Sequence, residues 1–156
     1  MMIAQGERMV VSISTQPVYT PQELFTQLLG LHPGNRLQVI EAVAQGLEVS
    51  AFERVAAALG VTEKRLAELL RIKLSTLARR KRIGRLSSEE SERLYRMAFL
   101  VERAVQVLGS LDGAQRWLTT DKRALGGVSP LVFAKTEPGA REVEDLLGRI
   151  EYGIPS

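Results

Sequence analysis

With 156 residues, 45% of them hydrophobic and 25% charged, the chain has room for one domain or two very small ones, and folding at this size buries roughly 70% of the unfolded surface. It has no cysteine, which excludes disulfides and thiolate metal sites and fits a reducing cytoplasm. The start has no charged n-region followed by an apolar h-region, no apolar run approaches the ~18 residues of a membrane span, and the net charge is only +3, so a soluble cytoplasmic protein without a membrane partner is expected.

Residues 1–20 form an N-terminal extension with no helix signal, disorder being one expectation for it; Val10 to Ser14 alternates weakly, as a strand would. The first helix signal is Thr20-Pro21-Gln22-Glu23, a capping Thr, Pro at the first helical position and Glu three residues after the cap. His32 follows in the turn Leu31-His32-Pro33-Gly34-Asn35. As the only histidine, with no acid, base or metal-ligand partner in view, it carries no catalytic assignment.

Leu37, Ile40, Val43, Ala44 and Leu47 recur at helical spacing as one apolar face. Ser50-Ala51-Phe52-Glu53 opens the next helix, with Phe52, Val55, Ala56 and Leu59 facing inward. Gly30, Gly46, Gly60 and Gly109 fall where helices should stop.

Between about 62 and 83 the outline is a helix-turn-helix. Thr62 caps a helix bearing Leu66, Ala67, Leu69 and Leu70, a short break follows, and a second helix starts near Ser75. Arg71, where this motif often has Gly, departs from the pattern. Arg71 to Arg85 holds seven basic residues and no acidic one, leaving the rest of the chain net negative. Such focusing points to a polyanion. With Leu74, Leu77 and Ala78 turned inward, Ser75, Thr76, Arg79, Arg80 and Arg82 become the candidate DNA contacts. Arg grips guanine through two hydrogen bonds, and Ser or Thr reaches phosphates or base edges. RNA is disfavoured because no aromatic residues are interleaved.

Ser87-Ser88-Glu89-Glu90 opens a long helix over about 88–108, in which Leu94, Ala98, Val101, Val105 and Leu108 form a short heptad seam. Met97 to Val101 is apolar all round, as for a central core helix, a dimer interface, or both. The Gly126-Gly127 pair lacks the Lys of a phosphate loop and reads as a helix stop before the Ser129-Pro130 start. Glu142, Glu144, Asp145 and Glu151, with Arg141 and Arg149 interspersed, make an acidic helix face rather than a metal site. Nothing reads as an enzyme, and no cofactor is expected. The class is all-α: a helical bundle over 21–125 and a small helical unit over 126–156, whose Val143, Leu146, Leu147, Ile150, Tyr152 and Ile154 keep an unusually apolar end.

That last unit carries a resemblance. Gly126, Gly127, Ser129, Pro130, Leu131, Thr136, Gly139, Ala140, Val143, Leu146, Leu147, Arg149, Ile150, Tyr152 and Gly153 resemble the C-terminal toxin-binding domain of the Xre/MbcA/ParS antitoxins. The upstream helices, including Leu74 to Leu94, are similar to the N-terminal part of the same family. The resemblance implies an antitoxin that occludes the active site of a RES-domain toxin, one that destroys NAD, and represses its own operon, as a homodimer on an inverted-repeat operator. It makes Arg149, Glu151, Tyr152, Ile154 and the terminal carboxylate of Ser156 the candidate toxin contacts. Val132 and Phe133 stand where a polar or smaller residue is expected. The rival reading is a plain helix-turn-helix repressor whose last unit serves dimerisation or ligand sensing.

Overall fold

The computed structural model describes residues 20–31 and 35–154, so the 1–20 extension (Thr20 excepted), the Val10–Ser14 alternation, His32 and Ser156 lie outside the described residues. Helices follow one another as α1 (Pro21–Leu28), α2 (Arg36–Gln45), α3 (Val49–Leu59), α4 (Glu63–Leu69), α5 (Leu74–Ile83), α6 (Ser88–Leu108), α7 (Leu111–Thr119), α8 (Pro130–Phe133) and α9 (Glu137–Glu151), with a 3-10 turn at Arg123–Leu125. No strand occurs among the described residues. The architecture is all-α.

α6 is the axis of the bundle, and α1, α2, α3, α7 and α9 all pack on it. Its middle is apolar all round because it must be: Leu94, Met97, Ala98, Leu100, Val101 and Ala104 are buried, and Phe99 is half-buried. Within the expected seam Leu94, Ala98 and Val101 are fully consumed by the chain's own core. One hydrophobic cluster runs from Leu24 to Leu147, on both sides of Leu125, and Val132 and Phe133 pack against it.

Caps fix most helix starts. Thr20 with Glu23 and Ser87 with Glu90 form reciprocal capping boxes, and Ser129 Oγ accepts the Val132 N–H at 3.3 Å. Ser50 does not act as a cap. α3 begins two residues earlier than a Ser50 cap would start it, with Glu48 at the cap position and no side-chain bond there.

The α2 face also differs from expectation. Val43 and Leu47 are buried, but Leu37 is 67% and Ile40 57% exposed, and Ala44 is exposed as well. α2 turns Val39, Ala42 and Val43 toward the core instead, so Leu37, Ile40 and Ala44 fall on its outer side.

The α2–α3 junction is stitched to the α5–α6 junction. Val49 N–H donates to Gly84 O at 3.0 Å, Leu86 N–H to Leu47 O at 2.9 Å, and Leu47 N–H to the buried Ser91 Oγ at 2.8 Å. Gly46 has φ +98, and a Cβ there would run into the carbonyl of Leu86, so only glycine lets these two turns touch. The stitch sets where α5 ends.

Candidate functional site

α4 and α5 form the helix-turn-helix. Thr62 Oγ1 accepts the Arg65 N–H at 3.0 Å, and Leu66, Ala67, Leu69 and Leu70 are buried as expected. The turn then drives Arg71 to φ +56, the left-handed region that glycine occupies freely. Ile72 closes the turn from inside, 6% exposed, its N–H donating to Ala67 O at 2.8 Å.

α5 is held differently from the sequence expectation. Leu77 is its only buried residue; Leu74 is 53% exposed and Ala78 is exposed too. The anchor that Leu74 and Ala78 do not provide comes from charge. Arg80 Nε donates to Glu90 Oε1 at 2.7 Å, with side chains 22% and 9% exposed, and Lys81 Nζ donates to Glu63 Oε2 at 3.0 Å. Glu90 Oε1 also accepts the Ser87 N–H at 2.8 Å. Burial pushes the Glu90 carboxyl up, but the Ser87 N–H and the Arg80 guanidinium outweigh it and hold the group below the usual carboxylate range.

Among the expected DNA contacts, Ser75, Arg79 and Arg82 are therefore exposed, Thr76 is half-buried, and Arg80 is turned inward onto Glu90. Glu90 engages Arg80 through Nε, and the side chain keeps 22% exposure. At about 100° per residue, Leu74, Ala78, Arg82, Ser75 and Arg79 share roughly 140° of the helix surface. Arg71, Lys73, Arg79 and Arg82 are exposed and have no ion-pair partner among the described residues.

The chain's other candidate surface is the end of α9. Thr136 Oγ1 accepts the Gly139 N–H at 3.2 Å, and Gly139 lies so close under the Phe133 carbonyl that a Cβ would collide with it. Ala140, Val143, Leu146 and Leu147 are buried, hence core rather than contact residues. Beyond them the helix stops in an ordered turn: Gly153 takes φ +68 and Ile154 N–H donates to Arg149 O at 2.8 Å. This turn presents Ile150, Tyr152 and Ile154, which are 39%, 77% and 54% exposed.

Of the expected contacts here, Tyr152 and Ile154 are free at the surface, whereas Glu151 Oε2 is held by Arg103 Nη2 of α6 at 2.6 Å. Arg149 is half-buried, and its Nε has no hydrogen-bond partner among the described residues. Glu144 is pushed up by burial and by neighbouring Asp145, partly offset by Arg141 and Arg103. Beside Ile150 lies a cleft of about 310 Å³ lined by Trp117, Lys122, Arg123, Ala124, Leu146 and Ile150. Lys122 Nζ sits 5.2 Å from the Trp117 ring centroid, and burial pushes its pKa down. Sequence reasoning gave Trp117 and Lys122 no role; a lone Trp on an amphipathic helix looks like core until its edge is seen to line a cleft.

Among the described residues no group of three or more His, Asp or Glu is placed to hold a metal ion, and no helix is long and apolar enough to cross a membrane. Residues 38–98 match the family model for the antitoxin Xre-like helix-turn-helix domain, and residues 103–153 that for the antitoxin Xre/MbcA/ParS C-terminal toxin-binding domain. An Antitoxin Xre of Yersinia enterocolitica is 30% identical over 128 residues, 81% of this chain and 86% of that protein. One from Photorhabdus laumondii is 39% identical over 74 residues, 47% of this chain and 50% of its own. A Sphingobium protein named Prs ADP-ribosylating antitoxin is 33% identical over 144 residues, 86% of this chain and 89% of that one.

Proposed function

Because the chain belongs to the Xre/MbcA/ParS family of antitoxins, and is thus the antitoxin of a toxin–antitoxin system, we propose that it occludes the active site of a RES-domain toxin encoded beside it and represses its own operon. The observation that carries the first half is the exposed trio Ile150, Tyr152 and Ile154 on an ordered helix end, the first two inside the segment matched as toxin-binding and Ile154 one residue past it. Exposed aromatic and aliphatic anchors at such an end suit insertion into a pocket. Neutralisation by occlusion asks no chemistry of this chain and no cofactor.

The target chemistry we favour is destruction of NAD. The name of the Sphingobium relative ties that protein to ADP-ribosylation. NAD hydrolysis and ADP-ribosyl transfer break the same nicotinamide–ribose bond, so an occluding antitoxin faces a similar dinucleotide pocket in either case. The second half of the proposal is supported by the four unpaired cations around α5. A homodimer suits an inverted repeat. Since Leu94, Ala98 and Val101 of the α6 seam are buried within one copy and Val105 and Leu108 half-buried, the pairing surface we assign is the more exposed Leu37 and Ile40 of α2.

The test is growth rescue. The neighbouring gene is induced alone, with this chain, and with a Tyr152→Ala/Ile154→Ala variant, while cellular NAD and ADP-ribosylated protein are followed. The side chains removed are exposed, so the melting temperature should hold within about 2 °C while rescue is lost. Rescue by the variant as complete as by the parent chain overturns the assignment of the tail. Truncation at Leu125 is a poorer probe, because it strips Leu131, Val143, Leu146 and Leu147 out of the shared core.

A further inference from the structure

We infer that α5 reads thymine through its 5-methyl group, with Leu74 as the principal reader and Ala78 one turn behind it. This deepens the operator-binding reading and rests on it. Recognition helices of this motif present their N-terminal residues to base edges in the major groove. Leu74 is the first residue of α5, and folding leaves it 53% exposed rather than using it as an anchor. It stands in a setting that no apolar protein surface would match: Lys73 precedes it, Arg71 is two residues further back, and Ser75, Arg79 and Arg82 share its face, all exposed. A partner for this surface must be polyanionic and must also offer something apolar within reach of a helix start. Duplex DNA offers both, because the thymine methyl is the one apolar group on a base edge in the major groove.

Ala78 adds a second small apolar contact on the same side. Four residues at 1.5 Å rise separate the two by about 6 Å, close to two base steps of 3.4 Å. The readable thymines therefore fall within about two base pairs of each other in each half-site, next to guanines that Arg79 and Arg82 are placed to grip. Arg80, held by Glu90, takes no part.

The experiment uses the full-length protein and duplexes from the DNA immediately upstream of its gene, with each thymine in turn replaced by deoxyuridine. That exchange removes only the methyl and keeps the O4 acceptor. Affinities are compared at one fixed salt concentration, since phosphate contacts make them salt-dependent. Burying one methyl is worth about fourfold in binding, so at one or two thymines per half-site the parent chain should bind uracil DNA about fourfold more weakly. Leu74→Ala, a good helix former at an exposed site, should bind thymine DNA more weakly and lose its sensitivity to uracil at the position it reads. Fully uracil-substituted DNA binding the parent chain as tightly as thymine DNA overturns the inference. So does a uracil penalty that persists unchanged in both Leu74→Ala and Ala78→Gly. No binding to any upstream duplex overturns the operator reading itself, and this inference with it.

Discussion

Replacing Glu90 probes how a recognition helix with one buried apolar residue stays in place. Glu90 Oε1 serves two donors at once, Arg80 Nε at 2.7 Å and Ser87 N–H at 2.8 Å. With side chains 9% and 22% exposed, the ion pair is shielded well beyond a surface bridge. Glu90→Ala removes a helix-start hydrogen bond worth about 1 kcal/mol and a charge-assisted bond worth about 1.5–3 kcal/mol, so a loss of roughly 3 kcal/mol is expected. At about 2–4 °C per kcal/mol for a chain of this size, the melting temperature should fall by roughly 6–12 °C. Glu90→Gln keeps an oxygen for both donors and loses only the charge, which should cost about 1 kcal/mol. The pH dependence separates charge from shape. The carboxyl is held below its unfolded value, so its stabilisation is fully present above the unfolded pKa and is lost as pH falls through the lower folded one. Urea unfolding at pH 7 and across the acid range would show this component in the parent chain and not in Glu90→Gln. Equal stability of the two at pH 7, or an identical acid limb, would refute the reasoning.

Gly139→Ala should destabilise the chain by at least about 2 kcal/mol, because its Cβ has only the rigid Phe133 carbonyl to move against; a melting temperature within 1 °C of the parent would show that α8 yields freely. Arg71→Gly should raise stability by about 0.5–1 kcal/mol by relieving a side chain at φ +56, read as an upward shift of the urea midpoint with an unchanged slope. A lower midpoint would mean that Arg71 makes a stabilising contact that outweighs its backbone cost.

Where a helix start is a local matter, the sequence was readable. Thr20 with Glu23 and Ser87 with Glu90 are complete capping boxes within four residues, and the helices they open stand where the motif puts them. Ser50 and Glu53 show the same pattern, yet α3 starts at Val49, because hydrogen bonds from the α5–α6 turn hold its backbone from outside. The inner face of α5 was not readable for a related reason. Spacing alone selects Leu74, Leu77 and Ala78, and nothing local says that a carboxylate ten residues downstream will draw Arg80 inward and rotate the other two to the surface. Leu37 and Ile40 were misjudged because Val39, Ala42 and Val43 offer a second face at helical spacing, and spacing alone does not choose between the two. At the α9 end Tyr152 and Ile154 were legible as exposed, following the last core residue by a few positions. The ion pair of Glu151 with Arg103, across 48 residues, was not.

The continuous core has a consequence for how such proteins diversify. The side chains under α5 and those under the end of α9 belong to one packed cluster wrapped around α6. A C-terminal segment grafted from a relative would bring its own versions of Val143, Leu146 and Leu147 into a groove shaped by another chain's α6 and α7. A mismatch of one methylene there is felt as strain or void. Changes of surface are thus reached more cheaply by single exchanges at exposed positions such as Tyr152, Ile154, Leu74 and Arg79 than by shuffling whole segments. Descendants of one ancestor should keep the interior nearly fixed while their two outward faces drift independently.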